Sequence, residues 1–293
     1  MENILTAINQ ASIEIYRFLS KNETDFGKSN NTNLSGDKVH KIDIVTNNIV
    51  KNHLANIPEV YAIASEEEDN IVYCNNNGNY LIAFDPLDGS QNIDPGLEVG
   101  SIFGIFKVNK QNKNIINSGR DIVGAVYSLY GATMQITTAF NNNCTMQIIS
   151  PSNKIIKTRY NYKMPSFGKY YCTNEANRFR QSNSWINNFH DELAKYGLSC
   201  RWGGCMVQDV HRILLQGGLF SYPSDDKNTN GKLRLLYECY PMAYIIECAG
   251  GKSYLQDKTL LLDKPFNITN LHQKIPVFLM SSEIEKYFIK SPL

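Results

Sequence analysis

The stretch Tyr80–Gly96 reads YLIAFDPLDGSQNIDPG: an apolar run ends abruptly in Asp85 and Asp88, three residues apart, followed by Gly89 and Ser90. Pro86 restricts the backbone between the two acids, and Gly89 supplies a turn or lets a ligand approach the main chain. If a helix or an N–H nest opens there, the amides near Gly89 and Ser90 can hold a phosphate oxygen. Two carboxylates beside amide donors then describe a bridge from a divalent cation to a phosphate. Hard oxygen donors suit magnesium or manganese, while the thiolate or imidazole sets that suit zinc are missing. The competing reading of the same residues is an Asx turn with solvated charges.

Two further pieces favour the cation. AIASEEED again runs an apolar segment straight into carboxylates, at Glu66, Glu67 and Glu68. Adjacent carboxylates at a strand end repel unless solvent or a cation screens them. SGDKVHKIDIVTN places Asp37 and Asp43 around a short connection into a helix, where Asp43 could also serve as an N-cap. Between Asp37 and Glu98 there are 11 acidic residues against 3 lysines and no arginine, in a chain of net charge +1. Cation binding explains that concentration better than scattered surface charge. Further on, Lys232 and Arg234 alternate with Leu233 and Leu235, which puts both cations on one side of a strand, and Glu238 follows four residues after Arg234. An ordinary half-exposed strand with a salt bridge has the same pattern. Tyr222 before Pro223 and Arg201 beside Trp202 also have plain structural readings. His211, in an apparent helix with no paired nucleophile, reads as structural, and Cys200 and Cys205 have no persuasive metal partner.

The elements that must position these groups are legible in part. Ile4, Leu5, Ile8, Ile15 and Leu19 predict a helix over 4–19, and residues 22–36 read as loop. A second helix starts near Asp43 and turns Val45, Ile49 and Leu54 inward. Strands are predicted at 60–64, 70–74, 80–84, 102–108 and 122–129, and GATMQITTAF and CTMQIIS form a hairpin about Asn141–Asn143. Trp185, Phe189 and Leu193 mark a helix, as do Met206, Val210 and Leu214. GLFSYP and KLRLLYE read as strands around a DDKNTNG loop. Pro241 opens a helix that Gly250–Gly251 ends. The chain of 293 residues thus divides into two α/β parts near 160–175, with mixed sheets. Its net charge of +1 excludes a global field for nucleic acid, and no apolar run reaches the length of a membrane span. Seven cysteines without a C-x-x-C pair and an amino terminus without a basic, apolar leader point to a cytoplasmic protein.

Read together, SGDKVHKIDIVTN, SEEE, FDPLDGSQNID, SIFGIF, TNEAN, MVQDVHRILLQGGLFSYP, GKLRLLYECYPMAYIIECAGG and LHQKIPVFL closely resemble class I fructose-1,6-bisphosphatases. These belong to the magnesium-dependent, lithium-sensitive sugar phosphatases. D-P-x-D-G is shared across that superfamily, which includes inositol monophosphatases, whereas the long DPLDGSQNID and GKLRLLYECYPMAY strings are narrower. The resemblance implies an α-β-α-β-α sandwich, with residues 1–168 binding metal and 169–293 binding sugar phosphate. It implies that Glu66, Asp85, Asp88, Glu238 and the Leu87 carbonyl hold about two or three magnesium ions, or manganese, with Asp37 a further metal-linked carboxylate. Glu67 and Asp43 resemble the pair that orients and deprotonates the attacking water. Gly89 and Ser90 would present amides to the 1-phosphate near Arg234. Asn174, Tyr222 and Lys232 would hold the sugar and its 6-phosphate, helped by Arg201 from a neighbouring subunit of a homotetramer or dimer. Asn177 and Trp202 stand where relatives carry tyrosine. The implied reaction releases the 1-phosphate of fructose 1,6-bisphosphate by direct water attack. A covalent Asp85 adduct, a sedoheptulose 1,7-bisphosphate or dual substrate, an inositol monophosphatase activity and a non-catalytic relative are the alternatives. Asn79 and Lys107 replace a lysine and an arginine of AMP-regulated members, and no equivalent of their nucleotide-site turn is evident, so AMP inhibition is not expected.

Overall fold

Strand Tyr80–Asp88 lies inside an eight-stranded sheet whose order is 155–159, 143–149, 134–140, 122–130, 99–107, 80–88, 60–65 and 72–73. Every pair is antiparallel except Val60–Ser65 with Tyr80–Asp88, so the sheet is mixed as expected. The computed structural model describes residues 1–21, 28–32, 38–111, 115–181, 184–267 and 269–291. Its helices are α1 (Glu2–Ser20), α2 (Lys41–Leu54), α3 (Ser184–Lys195), α4 (Met206–Gln216), α5 (Tyr240–Cys248) and α6 (Glu285–Lys290). A second mixed sheet runs 199–200, 170–172, 218–222, 277–280 and 252–254.

Apolar faces stack these elements into an α-β-α-β-α sandwich. Ile4, Ile8 and Ile15 of α1 bury against Phe84 and Phe103 on one face of the large sheet. On the other face Phe106 and Tyr127 meet Val207 of α4 and Tyr240 and Ile246 of α5, which fill the layer between the sheets. Trp185 and Phe189 of α3 and Phe288 of α6 cover the far side of the small sheet against Phe278. No helix among the described residues is long and apolar enough to cross a membrane.

The structure corrects four local expectations. Val45 is exposed, because α2 turns Asp43, Thr46 and Asn47 inward with Ile42 and Val50. Those polar residues have inward partners, Thr46 Oγ1 donating to Ile42 O at 3.0 Å and Asn47 accepting from Ser65 at 2.8 Å. Lys28–Thr32, read as loop, pairs as a strand with Lys38–His40, so pairing overrides its weak intrinsic preference. The edge strand Ile155–Arg159 was not anticipated, since it lacks a buried alternating face. KLRLLYE is strand only at Leu233–Arg234; from Leu235 the chain winds into a wide turn in which Tyr240 N–H donates to Leu235 O. An apolar run buried on all sides carries no period to separate the two.

His190 and His211 are enclosed, bonded to Ser221 Oγ at 3.0 Å and Tyr127 Oη at 2.7 Å. Desolvation holds them neutral, His190 down at about 3 and His211 at about 4. The unfolded chain binds these protons near pH 6.5 and the folded chain does not, so the contribution of these two groups to stability falls as pH drops from about 6.5 toward 4. Urea titrations across that window should show His211→Gln flattening the loss by about 1–3 kcal/mol.

Candidate active site

In a regular strand, residues three apart point to opposite faces. Asp85 pairs with Ile102 but Asp88 with Gly100, so three residue steps on this strand oppose two on its neighbour. That bulge turns both carboxylates to the same face, toward the layer that holds α4 and α5. There Asp88 Oδ2 accepts Val207 N–H from the first turn of α4 at 2.6 Å and the Cys205 thiol at 3.0 Å. The approach is close: a Cβ on Gly100 would stand 2.6 Å from Val207 Cβ.

Gly89 follows the strand at φ 76°, and Ser90–Asn92 then form one turn of 3-10 helix that lines the cleft. A Cβ at Gly89 would lie 2.6 Å from Cys205 Cβ. Gly89→Ala is therefore expected to lower stability by more than the ~1–2 kcal/mol of the left-handed backbone alone, read as a drop in melting temperature. Asn92 fastens this turn to the second half of the chain, its Nδ2 donating to Glu98 O at 3.1 Å and Gly203 O at 2.9 Å.

The wide turn at Leu235–Cys239 aims Glu238 back at the bulge, where Glu238 Oε2 accepts the Arg234 amide at 2.5 Å. Ligand-capable oxygens of Asp85, Asp88 and Glu238 all lie within 4.8 Å of one another, and all three residues are buried. Glu66 joins them just past strand Val60–Ser65, 3.1 Å from Arg234 Nη2. Burial, then the nearby acids, pushes Asp85 far above the usual carboxylate range. Burial raises Asp88 to about 6 and, with Glu66, Glu238 to about 8. Converging buried carboxylates of this kind fit a hard divalent cation, which satisfies oxygen donors and removes their mutual repulsion.

One cleft of about 350 Å³ gathers most of the residues singled out from the sequence. Asp43, Glu66, Glu67, Asp85, Leu87 and Asp88 line its acidic end. Glu238 joins them there, and Gly89, Ser90, Asn174, Tyr222, Lys232 and Arg234 also line the cleft. Asn174 is held by its own turn, Oδ1 accepting Ala176 N–H at 3.2 Å. Arg201 is outside the lining, exposed and 5.2 Å over the Tyr170 ring, and Asp37 falls outside the described residues. Asn177 is buried and accepts from Arg180. Sequence reasoning missed Gln91, Asn92, Gly204, Met206 and Phe220 in the lining, and gave Trp202 no contact. Trp202 packs 5.7 Å from Tyr222 and stacks at 6.4 Å on Phe220. The Gly203–Gly204 pair before a helix was the available signal for that loop.

Fold and cleft together are those of a sugar phosphatase. The family model described as Fructose-1-6-bisphosphatase, N-terminal domain, matches residues 1–152, and that of the C-terminal domain matches 164–289. The class 1 fructose-1,6-bisphosphatase of Persephonella marina is 39% identical over 87% of this chain and 80% of its own length. Fructose-1,6-bisphosphatase 1 of Mus musculus is 38% identical over 90% of this chain and 81% of its own. The crystal structure of Leishmania major fructose-1,6-bisphosphatase in its holo form superposes with a TM-score of 0.90 at 31% identity, over 98% of this chain and 92% of that one. The chain belongs to the class 1 fructose-1,6-bisphosphatase family.

Proposed function

We propose that this cleft hydrolyses the 1-phosphate of fructose 1,6-bisphosphate, giving fructose 6-phosphate and phosphate, the reaction that serves gluconeogenesis. The observation that carries the reading is the convergence of Asp85, Asp88 and Glu238 within 4.8 Å in a cleft that also holds the Gly89–Asn92 turn, Lys232 and Arg234. Glu66, Asp85, Asp88, Glu238 and the Leu87 carbonyl, with Asp37, are the residues that would hold magnesium. Bound there, magnesium supplies positive charge to the transferred phosphoryl group. The Gly89 and Ser90 amides and Arg234 orient the 1-phosphate for in-line attack and stabilise charge that develops on its oxygens. Glu67, with Asp43, takes the proton of the attacking water. Asn174, Tyr222 and Lys232 hold the sugar and the far phosphate, so the substrate carries phosphates at both ends. Arg201, exposed over the Tyr170 ring with Nη1 donating to Cys200 O at 2.8 Å, would serve a neighbouring copy's cleft in a homo-oligomer. Residues 1–168 would act as the metal-binding half and 169–293 as the sugar-phosphate half. Seven free thiols support a cytoplasmic site of action.

The test is a magnesium-dependent rate comparison on fructose 1,6-bisphosphate, sedoheptulose 1,7-bisphosphate and inositol 1-phosphate. Fructose 1,6-bisphosphate should give the highest kcat/KM, with inositol 1-phosphate at least ~100-fold lower, the scale expected when charged contacts go unused. A preference for the seven-carbon sugar would move the assignment to that substrate. With a phosphate chiral at phosphorus, direct water attack should invert the configuration of the released phosphate; net retention would replace water attack by a covalent route through Asp85.

A further inference from the structure

We propose that Cys205 is a positioning residue of the metal centre, its thiol and the Val207 amide together fixing the orientation of the Asp88 carboxylate; this rests on reading Asp85, Asp88 and Glu238 as the ligands. The thiol lies 3.0 Å from Asp88 Oδ2, and the Val207 N–H reaches the same oxygen at 2.6 Å. Cys205 is 1% exposed, and the other acceptor its single S–H reaches is the main-chain oxygen of the same residue, Asp88 O at 3.6 Å, longer than the 3.0 Å to the carboxylate. Asp88 needs such a hold. Its two neighbours in the cluster are carboxylates, and like charge pushes it away from the place where all three meet. One amide bond at one oxygen leaves the carboxylate able to rotate about that bond, whereas two donors on the same oxygen from different atoms fix its plane.

The placement of the donors follows from the fold. Cys205 is the residue before α4 and Val207 lies in its first turn, so the positive end of that helix draws the carboxylate in. Asp88 and Cys205 are 117 residues apart in the chain, so the contact ties the bulged strand to the half that carries Tyr222, Lys232 and Arg234. A thiol is a weak donor. It can orient the carboxylate while leaving its negative charge available to a cation, which a strong cationic partner would not do. Cys200 makes no comparable contact, its sulfur facing Thr173 O at 3.9 Å.

Partners behind a metal ligand typically change metal affinity about 10–100-fold when removed. Calorimetric titration of the substrate-free protein with Mn²⁺ should show Cys205→Ala binding at least ~10-fold more weakly than the parent. The Mg²⁺ concentration for half-maximal activity should rise by a similar factor, while kcat at saturating Mg²⁺ recovers. Cys205→Ser, which restores a donor, should bind Mn²⁺ within about threefold of the parent, well inside the range for a lost partner. Parent-like Mn²⁺ affinity in the alanine variant would sink the proposal, as would a serine variant as weak as the alanine one. Should the alanine chain not fold, Cys205→Val keeps the buried volume without a donor and must show the same weakening. A parent protein that binds no Mn²⁺ would overturn the ligand assignment itself, and the Cys205 role with it; parent-like binding in the variants removes the Cys205 role alone.

Discussion

Replacing Glu67 by glutamine is expected to lower kcat by ~10²–10⁴-fold, the range for loss of a positioned general base. KM for fructose 1,6-bisphosphate and the affinity for Mn²⁺ should stay within about threefold, because the substitution keeps volume and takes the proton-accepting carboxylate from a residue assigned neither to the cation nor to the phosphates. The neighbouring residue supplies the control. Glu68 turns away from the cleft to α2, accepting Asn47 Nδ2 at 2.8 Å and pairing with Lys51 at 2.5 Å. Ser65 completes the link, donating to Asn47 Oδ1 at 2.8 Å and accepting the Glu67 amide at 3.1 Å. The backbone of the acidic run is thereby fixed to α2, the same helix that brings Asp43 to the cleft from its first turn. Glu68→Gln should leave kcat within a few-fold and cost stability by no more than ~1 kcal/mol, the scale of a partly exposed pair. Two adjacent glutamates with effects this different would assign the base by geometry. Equal loss of turnover and Mn²⁺ affinity in Glu67→Gln would instead make Glu67 a ligand.

The chemistry of this site was more legible in the sequence than its geometry. Residue type alone said that Asp85 and Asp88 could hold a cation and that Gly89 could receive a phosphate. It could not say that both acids face the same way, since their separation predicts opposite faces. The answer lies in the pairing of Asp88 with Gly100 and Asp85 with Ile102, a long-range register with no local mark. Glu238 is a similar case. Four residues past Arg234 on a continuing strand it would have been out of reach, and the wide turn that redirects it forms inside an apolar run without a period. Locally encoded parts fared better. Asn141 and Asn142 take φ of 50° and 59°, the conformation that asparagine tolerates, and close the expected hairpin. Pro241 in the first turn of α5 and Gly250 at φ 89° after it bound that helix as read. The error at Val45 came from following apolar residues where function had placed polar ones inward. Cys205, judged by its lack of a metal partner, was invisible because its partner is an aspartate from the other half of the chain.

The same buried carboxylates predict that the metal-free protein loses stability as pH rises. Asp88 at about 6, Glu238 at about 8 and Asp85, which burial and the nearby acids also raise well above the usual carboxylate range, all exceed the value near 4 of an unfolded chain. Between those limits the folded protein binds more protons than the unfolded one, so stability declines with pH and is lowest above the folded values. The buried histidines act in the opposite sense but only below about pH 6.5, so above it the carboxylates alone set the slope. Metal-free melting temperature should therefore fall from pH 6.5 to pH 8.5. A divalent cation that binds the folded state alone removes that decline. At about 100 times its dissociation constant it adds ~2.7 kcal/mol, which at ~2–4 °C per kcal/mol is a rise of roughly 5–10 °C. The rise should be larger at pH 8.5 than at pH 5.5, because at low pH the cation must displace bound protons. Asp85→Asn should separate stability from function. By removing one buried like charge it should stabilise the metal-free chain at pH 8.5, on the order of 1–3 kcal/mol, while abolishing both the melting response to Mg²⁺ and turnover. A metal-free melting curve flat from pH 6.5 to 8.5, or an asparagine variant that melts lower there, would mean that the carboxylates are not held together against their own repulsion, and would remove the physical basis for the metal centre.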